Sequence, residues 1–427
     1  MKSVQPSIHG ILTGSRSGAG IGRRLMPLAL AASLSLWALA PVAKATDGYQ
    51  LIGIGQYEMG MAGAVVADPG DPMTAITNPA GLGFIPPQAA FSAEWFNPTR
   101  TSNFGFGQVG SHSNLYGIPS VGWAAPAFGP NLYFGGGMFA TSGMGVNYLQ
   151  PNTPMGTVQV YSDIQYFSMT PALAWKPTPN WSVGLGVNIS LEQMSMQETF
   201  NGVGINLASP STAFGAGVSL GVLHNINKYV TVGMMYRTPT FFTPLTWQET
   251  TENFNGVQGN AGQYSTTLNY PQQISLGAAF HPTKLWTISL EGQWINWSST
   301  LNTLTLHGPW VGTNQVIMRT HWHDEWVLNI GTQYQLTKWL AIRGGYSYGT
   351  NPIGSSDTAS NLLLPAVVQN TITVGATQAL GMGWSLTEAY MHAFSNTING
   401  GPIAPGLPGT SATLAENSFG FQIGYQF

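Results

Sequence analysis

From residue 417 to its end the chain alternates without a break. Phe419, Phe421, Ile423, Tyr425 and Phe427 share one face of an extended strand, and Ser418, Gly420, Gln422, Gly424 and Gln426 share the other. A strand with one greasy aromatic face and one small polar face is made to stand between two different solvents. The pattern recurs upstream. Val183, Leu185, Val187, Ile189 and Leu191 oppose Gly184, Gly186, Asn188, Ser190 and Glu192, while Trp286, Ile288 and Leu290 oppose Thr287, Ser289, Glu291 and Gln293. Fourteen such segments can be marked, at 89–98, 114–128, 132–148, 158–175, 181–199, 212–224, 229–247, 264–280, 285–299, 320–336, 339–350, 366–379, 382–395 and 417–427. An even number of strands brings both ends of a closed sheet to one side.

The connections alternate in length. Tight turns rich in Pro, Gly and Asn (128–131, 176–180, 225–228, 281–284, 380–382) are separated by longer stretches (200–211, 249–263, 300–319, 351–365, 396–416). Only 7% of the 427 residues are charged, against about 25% in a soluble domain. No apolar run after residue 45 approaches the ~20 residues of a membrane-spanning helix. Only helices and closed barrels satisfy every backbone group in lipid, so an all-β fold follows: a transmembrane antiparallel β-barrel of about fourteen strands. Its tryptophans, Trp297, Trp310 and Trp322 included, fall mostly near strand ends, as aromatic girdles require.

Two N-terminal regions stand apart. Arg23 and Arg24 precede the apolar run 25–40, and Ala43-Lys44-Ala45 supplies a small-residue cleavage site, so 1–45 reads as a signal peptide for Sec export. Residues 46–88 read as a hatch, with 89–427 as the barrel. Within 59–86, glycines and prolines forbid a long ladder, yet Met59, Met61, Val65, Val66, Met73, Ile76, Leu82 and Phe84 are too apolar for a solvated linker. Such a segment needs burial and partners for its amides, which suits a plug inside the lumen. Five of the 13 basic residues precede position 46, leaving 8 against 16 acidic ones. Nucleic acid is excluded as a partner by that balance. The chain has no cysteine, and export tolerates that because nothing here relies on disulfides.

Three N-terminal motifs, Thr46-Asp-Gly-Tyr-Gln, Met59-Gly-Met-Ala-Gly-Ala and Asn78-Pro79-Ala80-Gly81, precede a second set in the strands: residues 180–188, Tyr270-Pro-Gln-Gln, Trp294-Ile-Asn-Trp297-Ser, Trp322-His-Asp-Glu-Trp326 and 340–348. In order and spacing the first set resembles the hatch, and the second the barrel strands, of the FadL family of outer-membrane transporters for long-chain fatty acids and other hydrophobic compounds. The resemblance implies the outer membrane of a Gram-negative cell, ligand capture among external loops, a hatch gate at Asn78, Pro79 and Ala80, and sideways release into the bilayer. The exit would lie at a kinked third strand near Ser142, Gly143, Met144 and Gly145, approached by the 78–80 tripeptide. Leaving directly into lipid spares an acyl chain about 0.8 kcal/mol per CH₂ of renewed water contact.

Arg237, Arg343, Glu192 and Glu291 point into the lumen by parity. They either meet a ligand, an arginine gripping a carboxylate bidentately, or pair with one another or with the hatch. His321-x-His323 would place two imidazoles on one face if extended, but interfacial packing explains the segment as well, and no metal is assigned. Apolar loop residues, among them Leu149, Leu301, Leu304, Leu306, Val311, Ile317, Leu362, Leu363, Leu364, Ile403 and Leu407, either form an entry groove or pack on one another. The reading is passive uptake of hydrophobic small molecules by a monomer in a lipid membrane, with no cofactor and no catalysis. Long-chain fatty acids are the first ligand class, aromatic or alkane hydrocarbons the second, and a non-transporting structural or adhesin barrel the third reading.

Overall fold

A computed structural model describes residues 47–427; the signal-peptide reading of 1–45 lies outside the described residues. The wall is a ring of fourteen strands. They are β1 (Gln88–Asn103), β2 (Tyr116–Ala124), β3 (Leu132–Thr153), β4 in two pieces (Gly156–Met169 and Ala172–Thr178), β5 (Trp181–Phe200), β6 (Val203–Asn227) and β7 (Val230–Arg237). The ring continues with β8 (Gln273–Thr283), β9 (Trp286–Ile295), β10 (Glu325–Gln335), β11 (Leu340–Gly349), β12 (Asn370–Gly381), β13 (Trp384–Gly400) and β14 (Thr410–Gln426). Every neighbouring pair is antiparallel, and β1 closes the ring on β14 from Gln88 opposite Gln426 to Asn103 opposite Ser411. Pairing with β14 along its whole length leaves β1 no open edge on that side.

Each of the fourteen expected segments contains a strand, and the alternation holds. On β5, Val183, Leu185, Val187 and Ile189 are exposed while Asn188, Ser190 and Glu192 are buried. The boundaries differ most around β7 and β8. The seventh strand was expected to reach Trp247 and the eighth to begin at Tyr264. The ladder instead stops at Arg237, close before Pro239 and Pro244, and resumes at Gln273, just past Pro271. Leu245–Glu249 and Gly262–Thr266 join Thr303–His307 and Gln315–Arg319 in a separate four-stranded sheet at the long-loop end. Alternation marks a strand but not the sheet that receives it.

Residues 47–87 pack against the inward faces of the wall, as short helical turns (Gly55–Gly60, Thr74–Thr77 and Pro79–Gly83) joined by irregular backbone. The wall makes room with glycine. A Cβ on Gly184 would stand 2.1 Å from the Ala80 nitrogen, one on Gly233 2.2 Å from the Val66 oxygen, one on Gly331 2.4 Å from the Met61 oxygen, and one on Gly420 2.3 Å from the Gln56 amide. Inward glycines on β5, β7 and β10 thus let plug backbone approach wall backbone, and Gly420 on β14 makes room for the Gln56 side-chain amide.

Candidate functional site

The wall is interrupted between β2 and β3. Their pairing runs from Ala124 opposite Gly135 to Ser120 opposite Phe139 and ends there. Contact resumes only where the His112 amide donates to the Asn147 carbonyl (2.8 Å) and the Asn147 amide to Ser111 Oγ (3.0 Å). Between these points Thr141 is an extra residue in the β3–β4 register, a bulge that turns β3 away from β2. The gap covers Ser142, Gly143, Met144 and Gly145, the positions expected for the kink. A cavity of about 310 Å³ lies behind it, bordered by these residues, by Tyr116 and Ile118 of β2, and by Phe96 and Arg100 of β1.

The segment reaching the free edge of β3 is not the 78–80 tripeptide. It is Tyr49–Gln50–Leu51, at the start of the described chain. Gln50 bridges Ser142, the Gly143 amide donates to the Tyr49 carbonyl (3.1 Å), and the Leu51 amide donates to the Thr141 carbonyl (3.2 Å). An edge that β2 abandons is therefore satisfied by the Tyr49–Leu51 strap. The Tyr49 ring lodges in an aromatic box, with centroids 4.5 Å from Trp297, 5.9 Å from Tyr270 and 6.2 Å from Trp322. Trp297 and Trp322, expected in the girdles, are fully buried in this box, as Trp310 is buried in the same apolar cluster, because each falls outside the ladder whose parity would aim it at lipid. Exposed tryptophans such as Trp95, Trp175, Trp181, Trp286 and Trp326 remain on the outer face.

Asn78, Pro79 and Ala80 seat against β5 and β6 near the short turns. Asn78 Nδ2 donates to the Val66 carbonyl (2.6 Å) and more weakly to that of Val222 (3.4 Å), while its Oδ1 accepts from the Ala80 amide (3.2 Å). It fastens the plug to itself and to the wall, away from the gap. The four lumen charges do not pair among themselves: among the described residues the one ion pair within 4.0 Å is His321 with Asp357. Glu291 Oε2 accepts from the amides of Val65 (2.9 Å) and Val66 (2.8 Å), and Arg237 Nη2 donates to the Ile76 carbonyl (2.9 Å). Arg343 lies 4.3 Å from the Tyr57 ring and donates to Gln333 and Thr377. Glu192 is buried on β5, and its Oε2 has no hydrogen-bond partner among the described residues.

At the long-loop end, Leu301, Leu304, Leu306 and Leu362–Leu364 are buried in the apolar cluster that surrounds Tyr49, whereas Leu149, Val311 and Ile317 are exposed. An open depression of about 960 Å³ lies there, bordered by Phe200, Val203, Phe254, Ile317, Met318 and Ile403. His321 has a left-handed φ of 50° and turns its Nδ1 to Asp357 (2.8 Å), so the His321-x-His323 pair is not extended. No group of three or more potential metal ligands occurs among the described residues. Asp324 accepts from Ser298 Oγ (2.6 Å), Asn296 Nδ2 (2.9 Å) and Trp294 Nε1 (3.1 Å). Partial burial would raise its carboxyl pKa, but these donors outweigh it and hold the carboxyl below its ordinary value.

Arg100 and the Tyr49 box were the features sequence reading missed. Alternation read from the sequence ends the first strand at Pro98, whereas the strand runs to Asn103 and the inward set Ser92, Glu94 and Pro98 continues to Arg100.

A closed barrel with a backbone-tethered plug, an apolar upper lumen and a side gap defines a class, the plugged transmembrane β-barrel channels. Residues 47–427 match the outer membrane protein transport protein family (OMPP1/FadL/TodX), and the chain belongs to it. The family makes it an outer-membrane transporter of hydrophobic compounds and not an enzyme. Its fold is similar to a Pseudomonas aeruginosa FadL homologue (TM-score 0.74, 18% identity, 89% of this chain and 100% of that one). It is also similar to the toluene transporters TodX of P. putida (0.71, 15%, 88% and 99%) and TbuX of Ralstonia pickettii (0.68, 17%, 88% and 99%). No curated protein matches the chain in sequence.

Proposed function

We propose that the protein takes up long-chain fatty acids passively: capture in the depression at the long-loop end, passage through the aromatic lumen, and exit sideways between β2 and β3. The observation that carries this reading is the break in pairing between Ser120/Phe139 and His112/Asn147, backed by a cavity of about 310 Å³. A barrel that only sealed or decorated the membrane would gain nothing from forgoing those hydrogen bonds, each a net contribution of about 1 kcal/mol. Displacing Tyr49–Leu51 from the β3 edge would connect lumen to gap. In this scheme that strap is the gate, and the 78–80 tripeptide anchors the plug body from which the strap extends.

One observation favours aromatic hydrocarbons as a second ligand class. The box of Tyr270, Trp297 and Trp322 already accommodates an aromatic ring, that of Tyr49. Uptake of labelled oleate and of toluene by cells with and without the gene separates the two. The side exit is tested by Gly143→Trp. Gly143 is exposed at the gap, and an added Cβ meets only the Ile164 oxygen, at 3.3 Å. Gly145 is unsuitable, since a Cβ there would come within 2.7 Å of the Ser162 oxygen and break the β3–β4 ladder. Slower uptake with ligand binding retained supports the side exit; undiminished uptake sinks it.

A further inference from the structure

Arg100 is the inward residue of β1 beside the gap, 4% exposed, and it borders the cavity behind Ser142–Gly145. Its Nη1 lies 3.5 Å from Tyr116 Oη, and the guanidinium carbon stands 5.6 Å from the centroid of that ring. Its Nε and Nη2 have no hydrogen-bond partner among the described residues. No carboxylate oxygen of the described residues lies within 4.0 Å of it. Other buried or half-buried cations are engaged: Arg343 by Gln333 and Thr377, Arg237 by the Ile76 carbonyl, and Lys176 by the Gly83 carbonyl at 2.7 Å. A buried guanidinium is costly unless its charge and donors are met, so this side chain is incomplete as it stands.

The rest of the cavity suits an acyl chain. Phe96, Met144, Ile164, Phe167 and Leu414 supply apolar walls from the guanidinium to the gap. Asp163 and Glu416 border the same space, both beyond 4.0 Å from Arg100; Asp163 Oδ2 accepts from Gln165 Nε2 at 3.1 Å while its Oδ1 has no partner among the described residues, and neither carboxylate fills the guanidinium's fork.

We propose that Arg100 receives the anionic headgroup of an acyl-chain amphiphile in this cavity, with the chain directed toward the gap between β2 and β3. The inference rests on the side-exit reading above and adds a selectivity element to it. A planar guanidinium whose Nε–Nη2 edge is unpartnered fits a carboxylate or phosphate and offers nothing to a neutral hydrocarbon. The shared chemistry is an acyl chain bearing an anion, either a transported fatty acid or an anionic lipid of the surrounding bilayer.

The test is equilibrium binding to purified wild-type, Arg100→Met and Arg100→Lys proteins in neutral detergent, with oleate, oleyl alcohol and phosphatidylglycerol as probes. Heat-modifiable migration on gels verifies that each barrel is closed. The expected result is a loss of about 10- to 100-fold in affinity for one of the two anions in Arg100→Met, from one charge-assisted contact. Oleyl alcohol should bind unchanged, and Arg100→Lys should keep part of the anion affinity. The anion that shows the loss identifies the source. If all three ligands weaken together, Arg100 only balances Asp163 and Glu416, and the proposal falls; it falls equally if none weakens. Failure of Gly143→Trp to slow uptake would remove the side exit while leaving this binding contrast intact, so the two readings are judged separately.

Discussion

The plug is held by contact with glycines of the wall, so adding one methyl group to the wall should unseat it. Gly277 on β8 allows the sharpest test. A Cβ built there lies 2.4 Å from Val66 Cγ1 and 3.6 Å from Ala67 Cβ of the plug, where carbon atoms prefer about 3.5–4.0 Å, and 3.0 Å from the Leu290 oxygen of β9. Plug and wall must then separate by about 1 Å locally, and overpacking of that kind costs about 1–3 kcal/mol. The ratio of seated to unseated plug should fall about 5- to 150-fold in Gly277→Ala. Hydrogen exchange of plug amides in the purified barrel reads the change directly, and entry of a hydrophilic antibiotic reads it in cells. Gly292→Ala on β9 is the control, since no atom stands within 4 Å of its added Cβ. Val66→Ala removes the clashing methyl, so combined with Gly277→Ala it should cost less than the two changes summed, a coupling of about 0.5–3 kcal/mol. Equal exchange in Gly277→Ala and Gly292→Ala, or strict additivity with Val66→Ala, would refute contact by glycine as the seat of the plug.

Other outcomes follow from the same geometry. Glu291→Ala leaves the Val65 and Val66 amides buried without their acceptor, at about 1–3 kcal/mol for each, and plug exchange should quicken while the barrel's thermal unfolding barely shifts. Asn78→Ala removes the links to Val66 and Ala80 and should loosen the 79–83 turn by about 1–2 kcal/mol, seen as faster exchange there with β3 unaffected. Glu252, in the loop hairpin outside the membrane-spanning strands, has its carboxyl pushed up to about 7, chiefly by burial and further by Glu249, against a hydrogen bond from the Asn206 amide that lowers it. The folded hairpin thus holds its proton more tightly than the unfolded chain, whose carboxyl titrates near 4.5, and its stability should fall as pH rises from 4.5 through 7. Exchange at 252–259 should be slower at pH 5 than at pH 8 after correction for intrinsic rates, and Glu252→Gln should abolish the difference.

The amino-acid order by itself determined the wall. Period-two alternation with scarce charge leaves a closed barrel as the one arrangement that suits lipid outside and small polar residues inside, and the same parity located the inward faces of β5, β9 and β14. Glycine and proline in 59–86 marked a buried irregular plug. These are local properties, carried by residues one or two positions apart. What crosses the lumen was decided only by the tertiary structure. Tyr49 meets Trp297 and Trp322 more than two hundred positions away, the strap on β3 comes from the first described residues and not from Asn78, and inward glycines of the wall are seats for the plug. Arg100 is inward because β1 runs five residues past Pro98 to pair with β14. Such contacts depend on register and closure, and parity within one strand holds no information about either.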